Sequence, residues 1–418
     1  MKSGLAPLLC GGMLALASAA LAVPALAQPP APQNAGGAPK VAAVDPATVQ
    51  GLASARDYRP PQGIGFKATD FVSENVRLTA QWFYAVQNEG KKLPTVIIAH
   101  GWGGTAANFR QDAVDLARAG YLVMLFDYRG WGDSDGRVML AGQRPAAGGT
   151  FTAQVRELRG YVDPWEQTED WFNAISYATA HPMVDAERIG IRGSSYSGGH
   201  VIYVAAHEPR VKALVSQVSN VDSRPAKPYQ PDPAKTIADA NAAASRIAAG
   251  QAQYPADRVR VGGLLGAPVG NKVARWAPVE QAGRVTAPAQ FIVAQNEELF
   301  SNTTNGQLAC ERVTGPRKMV LLPSITHYGI YGAERERAIT AAIDWFDKYL
   351  KPAGAPTRVP VNRTAPERGS CEPPPEEELE IEGIFSGQGS PTPGTDKDGP
   401  SGPAGGVQPP QDASGRWN

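Results

Sequence analysis

The feature that most restricts the fold is a regular alternation of short apolar runs with amphipathic segments between residues 63 and 351. The runs PTVIIAHG, LVMLFDYRG, RIGIRG and VKALVSQVS lack a polar face, which is typical of strands buried on both sides. Between them lie longer segments with helical spacing, such as PWEQTEDWFNAISYATAHP, which begins with a proline and acidic residues. Strands that alternate with helices predict a parallel sheet with right-handed crossovers. The sequence therefore predicts an α/β fold whose mostly parallel, doubly wound sheet spans residues 63–351.

One segment, residues 222–284, interrupts this alternation between the runs VKALVSQVS and AQFIVAQN. It is much longer than the few residues that normally connect a strand to the next element. Its alanine-rich part PAKTIADANAAASRIAAG predicts a helix. Because loops at the carboxyl edge of such sheets carry function, we interpret 222–284 as a helical lid insertion. A passive surface insertion is the alternative.

The two ends of the chain differ in composition from its centre. Residues 1–27 combine Lys2, an apolar stretch and the small-x-small sequence Ala25-Leu26-Ala27, which predicts a secretory signal peptide. Residues 28–62 form a Pro/Ala-rich leader, and residues 352–418 a tail rich in Pro, Gly and Glu that we expect to be disordered. No later segment is long and apolar enough to span a bilayer. We therefore expect an exported protein, periplasmic or secreted, without stable membrane insertion once the signal is removed.

The charge and the cysteine content of the chain limit which partners and bound groups we expect. Lys and Arg number 40, as do Asp and Glu, so the formal net charge is zero, whereas nucleic acid or anionic lipid would call for a basic excess. Cys310 and Cys371 could pair in an oxidising compartment or remain free thiols. No CxxC or HxxxH spacing occurs in the sequence, so we expect neither a metal nor another cofactor.

The stretch GIRGSSYSGG follows a predicted strand and opens a predicted helix, which is the setting of a nucleophile elbow. Such a turn needs small residues two positions before and two after the reacting serine. If Ser195 reacts, these positions hold Gly193 and Ser197; if Ser194 reacts, they hold Arg192 and Tyr196. Ser195 is therefore the candidate nucleophile, although a serine replaces the second glycine of the usual G-x-S-x-G pattern.

A reactive serine needs a base within reach, and the sequence has five histidines. Only His327, in LLPSITHYGIYG, lies in a loop just after a late strand, in the order Ser…acid…His. The other four are placed in the HGWGG turn, at a helix end or along the helix after the elbow: His100, His181, His200 and His207. His327 is the candidate base.

The residue that orients the histidine is expected to be acidic. Glu297, in the sequence NEELF after the strand AQFIVAQ, is the first candidate. Glu298 and Asp222, the latter after the strand VKALVSQVS, remain alternatives.

An alkoxide that develops on a carbonyl oxygen requires two preorganised N–H donors. The backbone N–H of Tyr196, directly after Ser195, is one candidate. The other is that of Trp102, in a glycine-rich turn open enough for a backbone to approach a ligand.

With these residues in place, the sequence resembles the α/β-hydrolase superfamily over residues 63–351, through AHGWGG, FDYRGWGDSDG, GSSYSGG, VAQNEELF and ITHYGIYG. Within it, the chain resembles the Xaa-Pro dipeptidyl-peptidase-like, cocaine-esterase-like and dienelactone-hydrolase-like branch. The resemblance implies a serine acyl-hydrolase that works through an acyl-enzyme, with Ser195, Glu297 and His327 as its catalytic residues. Dienelactone hydrolases proper use cysteine, which this elbow lacks.

Xaa-Pro peptidases need further domains and a site for the substrate's free amine, and the sequence identifies neither. We therefore expect an exported serine hydrolase acting on a small-molecule carboxylic ester. A peptidase or amidase that cleaves after proline, and a noncatalytic binding protein of the same fold, remain alternatives.

Overall fold

A computed structural model describes residues 54–144, 149–226, 230–254, 260–261, 264–357 and 371. The strands are β1 (Ile64–Ser73), β2 (Val76–Ala85), β3 (Leu93–Ala99), β4 (Leu122–Phe126), β5 (Arg137–Leu140), β6 (Val155–Leu158), β7 (Tyr161–Val162), β8 (Val184–Ser194), β9 (Val211–Gln217), β10 (Arg260–Val261), β11 (Leu264–Leu265), β12 (Ala267–Pro268), β13 (Ala289–Ala294) and β14 (Arg317–Leu322). The α-helices are α1 (Arg110–Arg118), α2 (Pro164–Thr179), α3 (Tyr196–His207), α4 (Pro233–Ala248), α5 (Gly270–Val273), α6 (Gly306–Arg312) and α7 (Arg335–Leu350).

The centre is an eight-stranded sheet in the order β1-β2-β4-β3-β8-β9-β13-β14. From β4 to β14 every neighbouring pair is parallel, whereas β1 and β2 pair antiparallel to each other and β2 pairs antiparallel to β4. The predicted fold class, an α/β fold with a mostly parallel sheet, is confirmed.

Helices cover both faces of the sheet, which explains why its central strands lack a polar side. Every residue of β3 and β4 is buried. Trp171 of α2 and Val201 of α3 belong to one hydrophobic cluster, and Leu116 of α1 and Phe346 of α7 belong to a second. Burial on both faces removes the periodicity that a half-exposed strand would show.

The sheet contains one strand, β1, that was not predicted from the sequence. β1 pairs with β2 over its whole length. Ala55 is fully buried, and the Tyr58 ring lies 5.1 Å from that of Phe66, so packing begins before the predicted boundary at residue 63. The proposed signal peptide and residues 28–53 of the leader lie outside the described residues.

The segment between β9 and β13 contains the predicted helix as α4, whose first turn is capped by the Asp232 carboxylate accepting the N–H of Lys235. No residue of α4 is buried. Further along, β12 pairs in parallel with β7, which joins this segment to the chain ahead of α2.

Cys310 and Cys371 form a disulfide, which answers the pairing question that the sequence left open. Apart from Cys371, the chain after residue 357 lies outside the described residues, as does any test of its predicted disorder. Among the helices that the structure describes, none is both long and apolar enough to cross a membrane.

Candidate active site

The loops that follow β3, β8, β13 and β14 hold the residues that the sequence singled out. Ser195 lies between β8 and α3 with φ 58° and ψ −121°. Residues other than glycine rarely adopt this backbone conformation. Its N–H donates to the Gln217 carbonyl oxygen at 2.8 Å, and its own carbonyl accepts the N–H of Asn220 at 3.2 Å. The strained turn is therefore held from both sides by the last residue of β9 and the chain that follows it.

Close approach of strand and helix explains the small residues around Ser195. A Cβ added to Gly193 would lie 2.1 Å from the Ser197 carbonyl oxygen, and one added to Gly199 would lie 2.2 Å from the Asn220 carbonyl oxygen. Ser197 departs from the usual glycine, and its hydroxyl oxygen lies 2.8 Å from that of Tyr128. The side chain at position 197 thus has a polar partner in the interior.

Ser195, His327 and Glu297 form a continuous hydrogen-bonded line. The His327 Nε2 atom lies 3.1 Å from the Ser195 Oγ atom, and Nδ1 lies 2.9 and 3.0 Å from the two carboxylate oxygens of Glu297. The side chains of His327 and Glu297 are only 2% and 1% exposed. Because a carboxylate only accepts, Nδ1 carries the ring proton and the Nε2 lone pair is directed at the serine hydroxyl.

The topology of the sheet brings these residues together. His327 begins a short 3₁₀ turn, His327–Tyr331, after β14, and Glu297 lies in the loop after β13. The strands β13 and β14 are parallel neighbours, so their carboxyl ends meet at one edge of the sheet. The elbow after β8 ends at the same edge.

The two alternative acids contact other groups. One carboxylate oxygen of Glu298 accepts the backbone N–H of His327 at 2.6 Å, so Glu298 holds the main chain rather than the imidazole. Asp222 forms an ion pair with Arg224 at 2.6 Å. Of the three candidates, only Glu297 contacts the imidazole.

Ser194 points into the interior and is 1% exposed. Its Oγ atom accepts the side-chain N–H of Gln217 at 3.0 Å and lies 2.7 Å from the Tyr331 hydroxyl. Ser195, by contrast, lies beside His327. The geometry separates the two serines in the way that the spacing of small residues predicts.

The other histidines are engaged elsewhere. Burial lowers the pKa of His100 to about 4 and that of His200 to about 3, with the neighbouring His100 contributing to the second shift. His181 stacks on Trp82 at 4.3 Å between ring centroids, and His207 Nδ1 lies 2.8 Å from the Tyr203 carbonyl oxygen.

The glycine-rich loop after β3 passes directly beside Ser195. A Cβ on Gly101 would come within 2.8 Å of the Ser195 Cβ atom. The rings of Trp102 and Tyr196 meet edge to face at 5.2 Å, so the two residues predicted to donate N–H groups are neighbours. Among the described residues, neither backbone N–H takes part in a backbone hydrogen bond outside regular elements.

Sequence reasoning missed two tyrosines near the elbow. The Tyr128 hydroxyl accepts the Trp171 indole N–H at 2.8 Å and lies 3.0 Å from His200 Nδ1. The Tyr331 ring lies 6.2 Å from that of His327, and its hydroxyl contacts Ser194. A tyrosine in an apolar or glycine-rich stretch gives no local signal of such a long-range bond.

Two protein families match the chain. The family described as X-Pro dipeptidyl-peptidase (S15 family) matches residues 74–232. The family described as BAAT / Acyl-CoA thioester hydrolase C terminal matches residues 169–328. The first match includes Ser195, and the second includes Ser195, Glu297 and His327.

Two individual proteins are also similar to this chain. An uncharacterized 31.7 kDa protein of Escherichia coli, from a traX-finO intergenic region, is 26% identical over 314 residues, which is 68% of this chain and 100% of that protein. The quorum-quenching protein AidA of Acinetobacter baumannii is 34% identical over 153 residues, covering 36% of this chain and 43% of AidA.

Among solved structures, the alpha/beta hydrolase GrgF of a Penicillium species superposes with a TM-score of 0.53 at 16% identity. The superposition covers 68% of this chain and 99% of GrgF. At such a low sequence identity it supports a shared fold. Sheet order, family matches and this likeness lead to one conclusion: the chain is a hydrolase that belongs to the α/β-hydrolase superfamily.

Proposed function

We propose that the protein is a serine hydrolase that cleaves carboxylic esters through an acyl-enzyme. The observation that carries the proposal is the line from Ser195 Oγ through His327 to Glu297, with 3.1 Å at its first bond and 2.9 Å at its second. These are hydrogen-bond distances between a nucleophile, a base and the group that orients the base.

In the acylation step, Ser195 Oγ attacks the ester carbonyl carbon while His327 Nε2 accepts the hydroxyl proton. The resulting imidazolium is stabilised by the Glu297 carboxylate at Nδ1. When the tetrahedral intermediate collapses, the carbon–oxygen bond to the alcohol breaks, and Nε2 returns the proton to the leaving oxygen. The products of this step are the free alcohol and an acyl group on Ser195.

Water then completes the reaction by the same route. His327 takes a proton from water as the water oxygen attacks the acyl carbon, and it returns that proton to Ser195 Oγ. The net reaction consumes one ester and one water and gives one acid and one alcohol, and no further reactant is needed.

The backbone N–H groups of Trp102 and Tyr196 are proposed to receive the negative charge on the carbonyl oxygen. Both flank Ser195, and Tyr196 begins α3, whose first N–H groups have no partner within the helix. A preorganised donor of this kind typically contributes about 2.7–4 kcal/mol to stabilising the transition state.

Residues 222–284 are proposed to shape the substrate pocket as a lid. A Cβ on Gly103, which has φ 75°, would lie 3.0 Å from the Leu265 carbonyl oxygen. This part of the insertion therefore lies against the glycine-rich loop that holds Trp102. Its position supports a role in substrate selection.

Cleavage of an amide after proline is the second candidate, because the X-Pro dipeptidyl-peptidase family matches residues 74–232. That match contains the elbow but stops before Glu297 and His327. An acyl-CoA thioester is included as a substrate class to be tested, because the second family covers all three residues.

Export is also part of the proposal. The signal-like residues 1–27 support it, and so does the bond between Cys310 and Cys371, since disulfides persist mainly in oxidising compartments. Mass spectrometry of the protein recovered from periplasm and medium would test it, with cleavage after Ala27 expected.

The testing experiment compares short and long p-nitrophenyl esters, an acyl-CoA and a Xaa-Pro p-nitroanilide on the full chain. Ser195→Ala is expected to lower ester turnover by at least about 10³-fold and to abolish labelling by a fluorophosphonate. Ser176→Ala, which alters an exposed serine on α2, is the matched control and should behave as wild type.

Turnover of the anilide alone would replace the ester proposal by the peptidase. Ester turnover that persists in Ser195→Ala would contradict the assignment of the nucleophile.

A further inference from the structure

The hydroxyl of Ser194, the residue before the proposed nucleophile, joins two loops. It lies 2.7 Å from the hydroxyl of Tyr331, which ends the 3₁₀ turn that His327 begins. The bond crosses from the β14–α7 loop to the elbow, one residue before Ser195 and four residues after His327.

The other partner of the Ser194 hydroxyl is the side chain of Gln217. The Gln217 side-chain carbonyl accepts from Arg192 Nη2 at 2.7 Å, so its amide nitrogen must be the atom that faces Ser194. That nitrogen donates to Ser194 Oγ at 3.0 Å. Ser194 and Gln217 are each 1% exposed, so the bond between their side chains is shielded from competing water.

The same hydrogen-bond network extends to the end of the β14–α7 loop. Arg192 Nη1 donates to Asp112 at 2.8 Å, and the other carboxylate oxygen of Asp112 accepts from Arg335 at 2.6 Å. Arg335 is the first residue of α7. The segment from His327 to Arg335 is thus tied to the elbow strand at Tyr331 and, through Asp112, at Arg335.

This arrangement matters because Ser195 and His327 belong to different loops. Proton transfer between them depends on the Oγ–Nε2 distance of 3.1 Å, which no covalent connection maintains. A displacement of about 1 Å at reacting groups can cost on the order of 10²-fold in rate. A hydrogen bond that joins the two loops at the neighbouring residues limits such displacement.

We propose that Tyr331 and Ser194 form a positioning pair that holds His327 in register with Ser195, an inference that rests on the proposed function. Neither side chain acts on the substrate in this account. The pair sets the fraction of molecules in which the serine–histidine bond is formed, and therefore kcat rather than substrate affinity.

Three variants test the pair: Tyr331→Phe, Ser194→Ala and the double variant. Each single change is expected to lower kcat for a p-nitrophenyl ester about 10-fold, with KM within about twofold of wild type. The second-order rate of fluorophosphonate labelling should fall in parallel, because it depends on the same serine–histidine geometry. The double variant should be little worse than either single one, since both changes remove one bond.

Tyr177→Phe is the matched control. It also removes one tyrosine hydroxyl, which donates to Thr69 Oγ1 at 3.0 Å. Thr69 lies on β1, at the edge of the sheet opposite to β14. The control is expected to keep the wild-type kcat and labelling rate, whatever its effect on melting temperature.

Several outcomes would overturn the positioning role. They are wild-type kcat in Tyr331→Phe, losses that multiply in the double variant, or a rise in KM that accounts for the whole effect. The last result would make Tyr331 a substrate contact. Failure of the proposed function is recognised separately, because it appears as ester turnover or labelling that survives Ser195→Ala.

Discussion

Two histidines of the described residues are almost equally buried and chemically different. His327, in the loop after β14, is 2% exposed, and His200, on α3 five residues after Ser195, is 1% exposed. The Nδ1 atom of His327 faces the Glu297 carboxylate, whereas the Nδ1 atom of His200 faces the neutral hydroxyl of Tyr128.

The contrast shows what a buried imidazole needs in order to act as a base. Without a nearby anion, burial penalises the protonated ring, and the pKa of His200 falls to about 3. Such a ring stays neutral at pH 7 and accepts a proton only at great cost. At His327, the Glu297 carboxylate faces Nδ1 and stabilises the imidazolium that proton transfer from serine creates.

The largest effect is expected from the same substitution made at both histidines. Asparagine keeps a hydrogen-bonding atom near the Nδ1 position and has nothing at Nε2. We expect His327→Asn to lower kcat by at least about 10³-fold and His200→Asn to change it by less than about threefold. Steady-state ester hydrolysis, corrected for the folded fraction by circular dichroism, measures both.

Equal losses in the two variants would mean that the line through His327 is not the proton path. In that case the assignment of the base would be wrong, even if Ser195 proved to be the nucleophile.

The acids beside His327 allow a second comparison. Glu297→Gln can present an amide N–H to Nδ1 and so favour the wrong tautomer, and we expect a loss of about 10²–10⁴-fold in kcat. Glu298→Gln keeps a carbonyl oxygen for the His327 backbone N–H, and we expect a loss below about fivefold. Steady-state kinetics of both variants on one ester measure the two losses in kcat. A larger effect at Glu298 would exchange the two roles.

The last prediction concerns how the free energy of unfolding depends on pH. The folded-state pKa of His200, about 3, lies below the unfolded value of 6.5, so the unfolded chain binds more protons between these values. Stability that is present above pH 6.5 is therefore lost as the pH falls. From pH 7 to 5 this amounts to roughly 2 kcal/mol.

His200→Asn removes that titration, so its free energy of unfolding should decline less than that of wild type over the same range. Urea unfolding at pH 7 and pH 5 measures the difference between the two proteins, in which the other groups, His100 included, largely cancel. Parallel declines would show that His200 is protonated in the folded state.

The fold and most of the candidate site follow from local patterns. Runs without a polar face identify β3, β4 and β9, because almost every residue of these strands is buried. Gly193 and Ser197 distinguish Ser195 from Ser194, since steric crowding acts on residues close in sequence. β1 was missed, because it lies at an edge of the sheet where its residues are only partly buried.

The contacts that the sequence does not predict depend on the paths of loops in three dimensions. Glu297 and Glu298 are adjacent and chemically identical, and only the path of the loop decides which carboxylate reaches the imidazole. The Ser194–Tyr331 bond joins residues 137 positions apart, and neither residue type has a spacing rule that would reveal it. Pairing of Cys310 with Cys371 is likewise a matter of three-dimensional distance.

The backbone conformation of Ser195 lowers the stability of the fold, whereas its hydroxyl is needed for turnover. A serine held at φ 58° and ψ −121° raises the free energy of the folded state by of order 1–3 kcal/mol, and glycine would relieve much of that strain. Selection for heat resistance alone would therefore favour Ser195→Gly, a change that also deletes the hydroxyl. A thermostable form that retains its reaction has to obtain its added stability at other positions.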